Sequence, residues 1–175
     1  MSDGSPARTL ILMRHGKSGY PPGVGDHERP LAERGRREAA LAGRWMADEG
    51  LRIDAVLCST ATRTRETLER TGFSAPAVYL DDIYGGSAFD VLESIRIHAP
   101  ADARCLLIVG HEPGMPATAL TLDPDGEIER FPTSAYAIVR VGAPWRDIGL
   151  EYDPDAHIVG LRVPRPPSSG DRPDH

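Results

Sequence analysis

The chain has a single lysine among its 175 residues, Lys17; the other basic residues are arginines, and lysine and arginine together number 20 against 26 acidic residues, a formal net charge of −6. A chain without a basic excess lacks the broad positive field of a general nucleic-acid binder, so no nucleic-acid partner is expected. Cysteine is nearly as scarce, with only Cys58 and Cys105. Cys58 falls at the end of one expected strand and Cys105 near the start of another. In a parallel sheet those positions lie on opposite edges, too far apart for a disulfide. No apolar run approaches the roughly 20 residues of a transmembrane helix, and no basic segment followed by a long apolar stretch opens the chain as in a signal peptide. No internal repeat is present. No carboxylate cluster has metal-ligand spacing, so neither metal nor cofactor is expected. These absences together predict a reduced, cytoplasmic protein with no membrane partner.

The remaining composition is that of a globular protein, with 40% hydrophobic and 26% charged residues and enough length to bury a core. Residues 1–163 are expected to form one domain. Residues 164–175, rich in Pro, Ser and charge, cannot bury apolar surface and are expected to be a disordered tail.

The stretch Leu10-Ile11-Leu12-Met13-Arg14-His15-Gly16-Lys17-Ser18 organises the chain. Four apolar residues in a row predict a short buried strand. It ends in a cation, an imidazole and a glycine that lets a ligand approach the backbone. In open α/β sheets ligands bind beyond the carboxyl ends of the strands, so this edge is a candidate anion site containing a nucleophile.

Further along, residues 19–30 read as a Gly- and Pro-rich loop overhanging that edge. Helices are predicted from Pro30 to about Glu49, from Ser59 to about Thr71, from Ser87 to about His98, and after Gly114 to about Leu122. In the first of these, the arginines alternating with Glu33 and Glu38 read as a solvated face. In the third, Ser87 is a plausible N-cap, with Phe89, Val91, Leu92 and Ile95 as the apolar face. Strands are predicted at Ile53–Cys58, Ala77–Leu80, Arg104–Val109, Ala135–Val141, Asp147–Tyr152 and Ile158–Val163, two of the last three pairing as a hairpin. The alternation predicts a three-layer α/β/α domain with a mostly parallel sheet flanked by helices.

Three strand ends carry polar clusters: Arg14-His15-Gly16, Ser59 through Arg65, and Gly110-His111-Glu112. Parallel, adjacent strands would bring them to one edge. Two arginines, two histidines and an accessible backbone suit a phosphoryl group, which arginine grips bidentately and a helix N-terminus assists.

These clusters, with Arg29-Pro30-Leu31, Glu33-Arg34-Gly35, Tyr79-Leu80 and Val109-Gly110-His111-Glu112-Pro113-Gly114, resemble the histidine phosphatase superfamily of the phosphoglycerate mutase-like fold, and within it the small SixA-type phosphohistidine phosphatases. The resemblance spans roughly residues 8–140. It implies His15 as the nucleophile that becomes a phosphohistidine, and Arg14, Arg63 and His111 as the rest of the catalytic pocket. Gly16, Lys17, Ser18 and Glu112 are further candidates for substrate binding. Arg65, two residues along the helix from Arg63, points elsewhere and reads as structural or as a support behind the pocket residues.

The chain departs from phosphoglycerate mutases in two ways. The glutamate proton donor is missing from Leu80-Asp81-Asp82-Ile83-Tyr84-Gly85-Gly86, leaving Asp81 or Asp82 as possible substitutes. Pro21 and Pro22 stand where a mutase-type asparagine is found. SixA-type members share the missing glutamate, and a P–N bond to imidazole makes less demand on a general acid than an alkyl ester does. The expectation is therefore removal of phosphate from phosphohistidine on proteins. The alternatives are a phosphomonoesterase acting on a small phosphorylated metabolite, and a non-catalytic phosphate-binding regulatory module. A cysteine nucleophile is rejected from spacing: four residues separate Cys58 from Arg63 and six separate it from Arg65, where such a loop needs five.

Overall fold

Leu10, Ile11, Leu12 and Met13 are fully buried at the middle of a six-stranded sheet in the computed structural model, which describes residues 7–165. The strands are β1 (Arg8–Arg14), β2 (Ala55–Ser59), β3 (Ala77–Leu80), β4 (Cys105–Gly110), β5 (Tyr136–Val141) and β6 (His157–Arg162), ordered β3-β2-β4-β1-β5-β6. The pairings β1–β4, β2–β4 and β2–β3 are parallel; β1–β5 and β5–β6 are antiparallel. The sheet is therefore mixed, with its parallel part at the centre and on one side.

Alternate side chains of the central strands feed two cores. Leu10, Leu12, Leu106 and Ile108 pack with Val91, Ile95, Met115 and Ala119, from α3 (Ala88–His98) and α4 (Gly114–Leu122). Ile11, Met13, Leu107 and Val109 pack with Ala42, Met46 and Leu68, from α1 (Glu33–Asp48) and α2 (Thr62–Thr71). Strands covered on both faces must be apolar along their whole length, which is why these segments read as unbroken hydrophobic runs. Each such side chain contributes about 1.5–3 kcal/mol relative to exposure.

Several expectations need correction. Residues Asp147–Tyr152 form no strand: a single helical turn at Trp145–Asp147 is followed by a turn in which Gly149 adopts φ +77°. That left-handed backbone breaks an extended ladder; the expected hairpin is present and is formed by β5 and β6. The first helix begins at Glu33 rather than Pro30, because Leu31 bridges to Ser18 in extended form. The second begins at Thr62 rather than Ser59, which closes β2. Glu38 is not on a solvated face; it is buried, with Oε1 accepting from Arg34 Nε at 2.6 Å. Phe89 is 67% exposed: at about 100° per residue it stands about 160° from Val91 and about 120° from Ile95, beyond the edge of the buried face that Leu92 borders. Ser87 does cap α3, in a reciprocal arrangement with Asp90.

Of the tail expected over 164–175, residues 166–175 lie outside the described residues, and Pro164 is buried. No helix among the described residues is long and apolar enough to cross a membrane. Cys58 and Cys105 are both free and buried.

Candidate active site

The strand register brings the three polar clusters level. Arg14 stands opposite Gly110 between β1 and β4, and Cys58 opposite Val109 between β2 and β4, so Arg14, Ser59 and Gly110 end their strands side by side. They open onto a cleft of about 490 Å³ whose walls include Arg14, His15, Lys17, Ser18, Arg63, His111 and Glu112.

His15 is pinned on both sides, its N–H donating to the Gly110 carbonyl and its carbonyl accepting from Ser134. The ring is fixed by its neighbour: Nδ1 lies 2.7 Å from the Gly16 carbonyl. A carbonyl can only accept, so Nδ1 carries the proton and neutral His15 keeps its lone pair on Nε2. Gly16 donates its own N–H to Thr67 Oγ1 at 2.9 Å, and Thr67 donates to the Arg63 carbonyl at 2.6 Å. The loop that follows His15 thus hangs from the helix that carries Arg63. Burial above all lowers the His15 pKa to about 3; His111, Arg63 and Arg14 add to the lowering and the Gly16 bond opposes it.

His111 is also buried, with Nε2 2.8 Å from Ser59 Oγ, which accepts from the Ala61 N–H at 3.2 Å. Burial, then the charge on Arg63, lowers its pKa to about 4. Arg14 Nη1 donates to the Phe131 carbonyl at 3.0 Å and pairs with Glu112 at 3.1 Å. Arg63 is 6% exposed. The Nε of each arginine is buried without a hydrogen-bond partner among the described residues. Two orphaned guanidinium N–H groups beside a cleft fit an anion that supplies the missing acceptors.

The remaining sequence candidates separate. Gly16 serves through its backbone, as the anchor of His15. Ser18 is buried and accepts from Arg29 Nη1 at 2.6 Å, while Lys17 is exposed on the cleft wall. Asp81 and Asp82 are not among the residues lining the cleft, and Asp81 accepts from Thr60 Oγ1 at 2.5 Å. Arg65 lies over the Tyr79 ring at 5.2 Å. The Cys58 thiol is pushed up to about 12 by burial, which removes thiolate chemistry near neutral pH.

Sequence reasoning missed Asp26, Arg29 and Tyr84, which also line the cleft. Asp26 and Arg29 are paired at three-residue spacing, a signal present in the sequence. Tyr84 carries no such signal.

A sequence model described as the histidine phosphatase superfamily (branch 1) matches residues 10–82. An uncharacterised protein of Mycobacterium tuberculosis is 46% identical over 163 residues, covering 87% of this chain and all of that protein. A candidate SixA phosphohistidine phosphatase from Nakamurella multipartitia has a solved structure that is 36% identical, with a TM-score of 0.83, covering 93% of this chain and 99% of that one. Another, from Agrobacterium tumefaciens, is 28% identical with a TM-score of 0.72, covering 91% of this chain and all of that one. Fold, cleft and relatives together support a phosphatase. The chain belongs to the histidine phosphatase superfamily.

Proposed function

We propose that the protein removes phosphoryl groups from phosphohistidine on proteins, with His15 as the nucleophile. The observation that carries this reading is the His15 ring itself: neutral, with Nδ1–H committed to the Gly16 carbonyl and Nε2 left as the nucleophilic atom. In the first step Nε2 attacks phosphorus while the bond to the leaving nitrogen breaks. The electron pair departs with the substrate ring, which leaves as neutral imidazole because its other nitrogen is already protonated, and the new phosphohistidine keeps its proton on Nδ1. In the second, water attacks the phosphohistidine, the P–Nε2 bond breaks, and phosphate leaves with neutral His15 restored. Arg14 and Arg63 offset charge on the equatorial oxygens. His111 is held through Nε2 by Ser59; with the serine hydroxyl donating to that nitrogen, neutral His111 keeps its proton on Nδ1 as a further donor.

The substrate class follows from the carboxylates. Those in the cleft are engaged: Asp26 by Arg63 and Arg29, Glu112 by Arg14. Asp81 and Asp82 are not in its lining. The site thus lacks a free carboxylic acid aimed at a poor leaving group, and phosphohistidine needs one least. A second reading, a phosphomonoesterase for small phosphorylated metabolites, is favoured by Lys17, which is exposed on the cleft wall, makes no ion pair among the described residues, and suits a second anionic group.

The test is phosphate release from a phosphohistidine protein and from a panel of phosphomonoesters, using wild type, His15→Ala, Asp81→Asn and Asp82→Asn. Preference for phosphohistidine, abolished in His15→Ala and kept within about twofold in both aspartate variants, is expected. Preference for a small ester moves the assignment to the second reading. Phosphate binding with no turnover of any substrate leaves a non-catalytic module.

A further inference from the structure

Asp26 opens the single helical turn Asp26–Glu28, which has no buried residues, and reaches across the cleft to the second arginine. Its main-chain carbonyl accepts from Arg63 Nη1 at 2.7 Å, and its Oδ2 accepts from Arg63 Nη2 at 3.2 Å. Both terminal nitrogens of Arg63 are therefore held by one residue, end-on. A planar guanidinium fixed at two nitrogens has lost its freedom to turn in its own plane. The edge that remains includes Nε, the buried N–H without a partner among the described residues.

The same carboxylate gathers two other parts of the cleft. Oδ1 accepts from Arg29 Nε at 3.2 Å and Nη2 at 3.1 Å, and the Tyr84 hydroxyl donates to Oδ2 at 2.5 Å. Tyr84 in turn stands edge-on to the His111 ring, with centroids 5.5 Å apart and planes at 74°.

We propose that Asp26 is a positioning residue for phosphoryl transfer: it clamps Arg63 end-on so that the free edge of the guanidinium meets the phosphoryl oxygens, and it sets Tyr84 against His111. The proposal rests on the phosphatase reading and extends it to a residue that does not touch the reacting atoms. The hydrogen bond from Tyr84 foremost, then Arg29 and Arg63, holds the Asp26 carboxyl well below the usual carboxylate range, so the clamp stays charged throughout the working pH range. Two physical effects oppose one another here. A carboxylate near an anion site repels phosphate, so a bystander at this position would weaken binding and its removal would strengthen it. A clamp has the opposite sign.

The experiment uses the full chain as wild type, Asp26→Ala, Asp26→Asn, Arg63→Lys and the Asp26→Ala/Arg63→Lys double variant. Affinity for inorganic phosphate is measured by calorimetry, kcat and KM on a phosphohistidine protein, and folding by thermal melts. Asp26 is solvent-accessible on a short turn, so the variants should fold. Asp26→Ala is expected to weaken phosphate binding about tenfold and to lower kcat, since the charge-assisted bond from Oδ2 to Arg63 Nη2 is lost and the main-chain carbonyl alone, on Nη1, no longer stops the guanidinium turning. Asp26→Asn, which keeps one accepting oxygen, should fall between. In the Arg63→Lys background the alanine substitution should cost much less, because lysine offers no fork to clamp and only the part acting through Tyr84 is left to lose. Unchanged or tighter phosphate binding by Asp26→Ala, or an equal loss in both backgrounds, overturns the proposal. Failure of the wild type itself to bind phosphate overturns the phosphatase reading, a result distinct from either.

Discussion

The rings of His15 and His111 stand with centroids 5.3 Å apart and planes tilted by 56°, both in the wall of a cleft that also holds Arg14 and Arg63. Burial foremost, and then the repulsion that two imidazolium ions would meet beside two guanidinium ions, selects the neutral form of both rings. Neutrality gives His15 its nucleophilic lone pair.

Stability should carry the signature of that selection. Both pKa values fall from 6.5, to about 3 and about 4, so the unfolded chain takes up protons that the folded protein refuses. The contribution is fully present above pH 6.5 and is lost as pH falls from there toward the folded values. At pH 5 each ring should cost about 2 kcal/mol of the stability held at pH 8. Denaturant melts of wild type and His111→Ala across pH 5–8 check this. A wild-type slope no steeper than the variant's would contradict the neutral assignment.

Gly35 should be intolerant of a side chain. A Cβ there would stand 2.7 Å from the Lys17 nitrogen and closer still to its carbonyl oxygen, and a Cβ on Gly16 would stand 2.8 Å from the Gly35 oxygen. The start of α1 and the loop after His15 cross backbone to backbone. Gly35→Ala should destabilise by about 1–3 kcal/mol or more through overpacking and lower kcat at least tenfold by shifting His15. Melts and steady-state kinetics read both effects, and wild-type kcat would show that the loop and the ring move independently.

Thr67 carries the suspension of Gly16 from α2. Thr67→Val keeps the shape and leaves a buried Gly16 N–H without its acceptor, at a cost of about 1–3 kcal/mol. Thr67→Ser should recover most of it. Equal stability of the valine and serine variants would mean that the hydrogen bond contributes nothing.

Strand-end residues were the most legible part of the site. Arg14, His15, Arg63 and His111 stand where hydrophobic runs break into polar clusters, and the central strands are adjacent, so reading the breaks was enough. Ser59 belongs to the polar cluster that closes β2, but its bond to His111 depends on the side-by-side ends of β2 and β4. Thr67 lies four residues beyond Arg63, and only its contact with a distant glycine gives that spacing meaning. Asp26 and Tyr84 lie in loops without periodicity, where position comes from tertiary packing that local pattern does not encode. The false strand at Asp147–Tyr152 has the same cause: its buried Ile148 packs from a turn, and Leu150 is exposed. The sheet's mixed character was only partly visible, because β5 is as apolar as the parallel strands beside it.

Lys17 has a practical consequence. Its ammonium is the only side-chain amine in the chain, and it stands on the wall of the cleft. Amine-directed chemistry, so often a scatter of labels over a protein surface, has one side-chain address here. A fluorophore attached at that position would sit at the mouth of the site and report each arriving substrate without any cysteine having to be engineered.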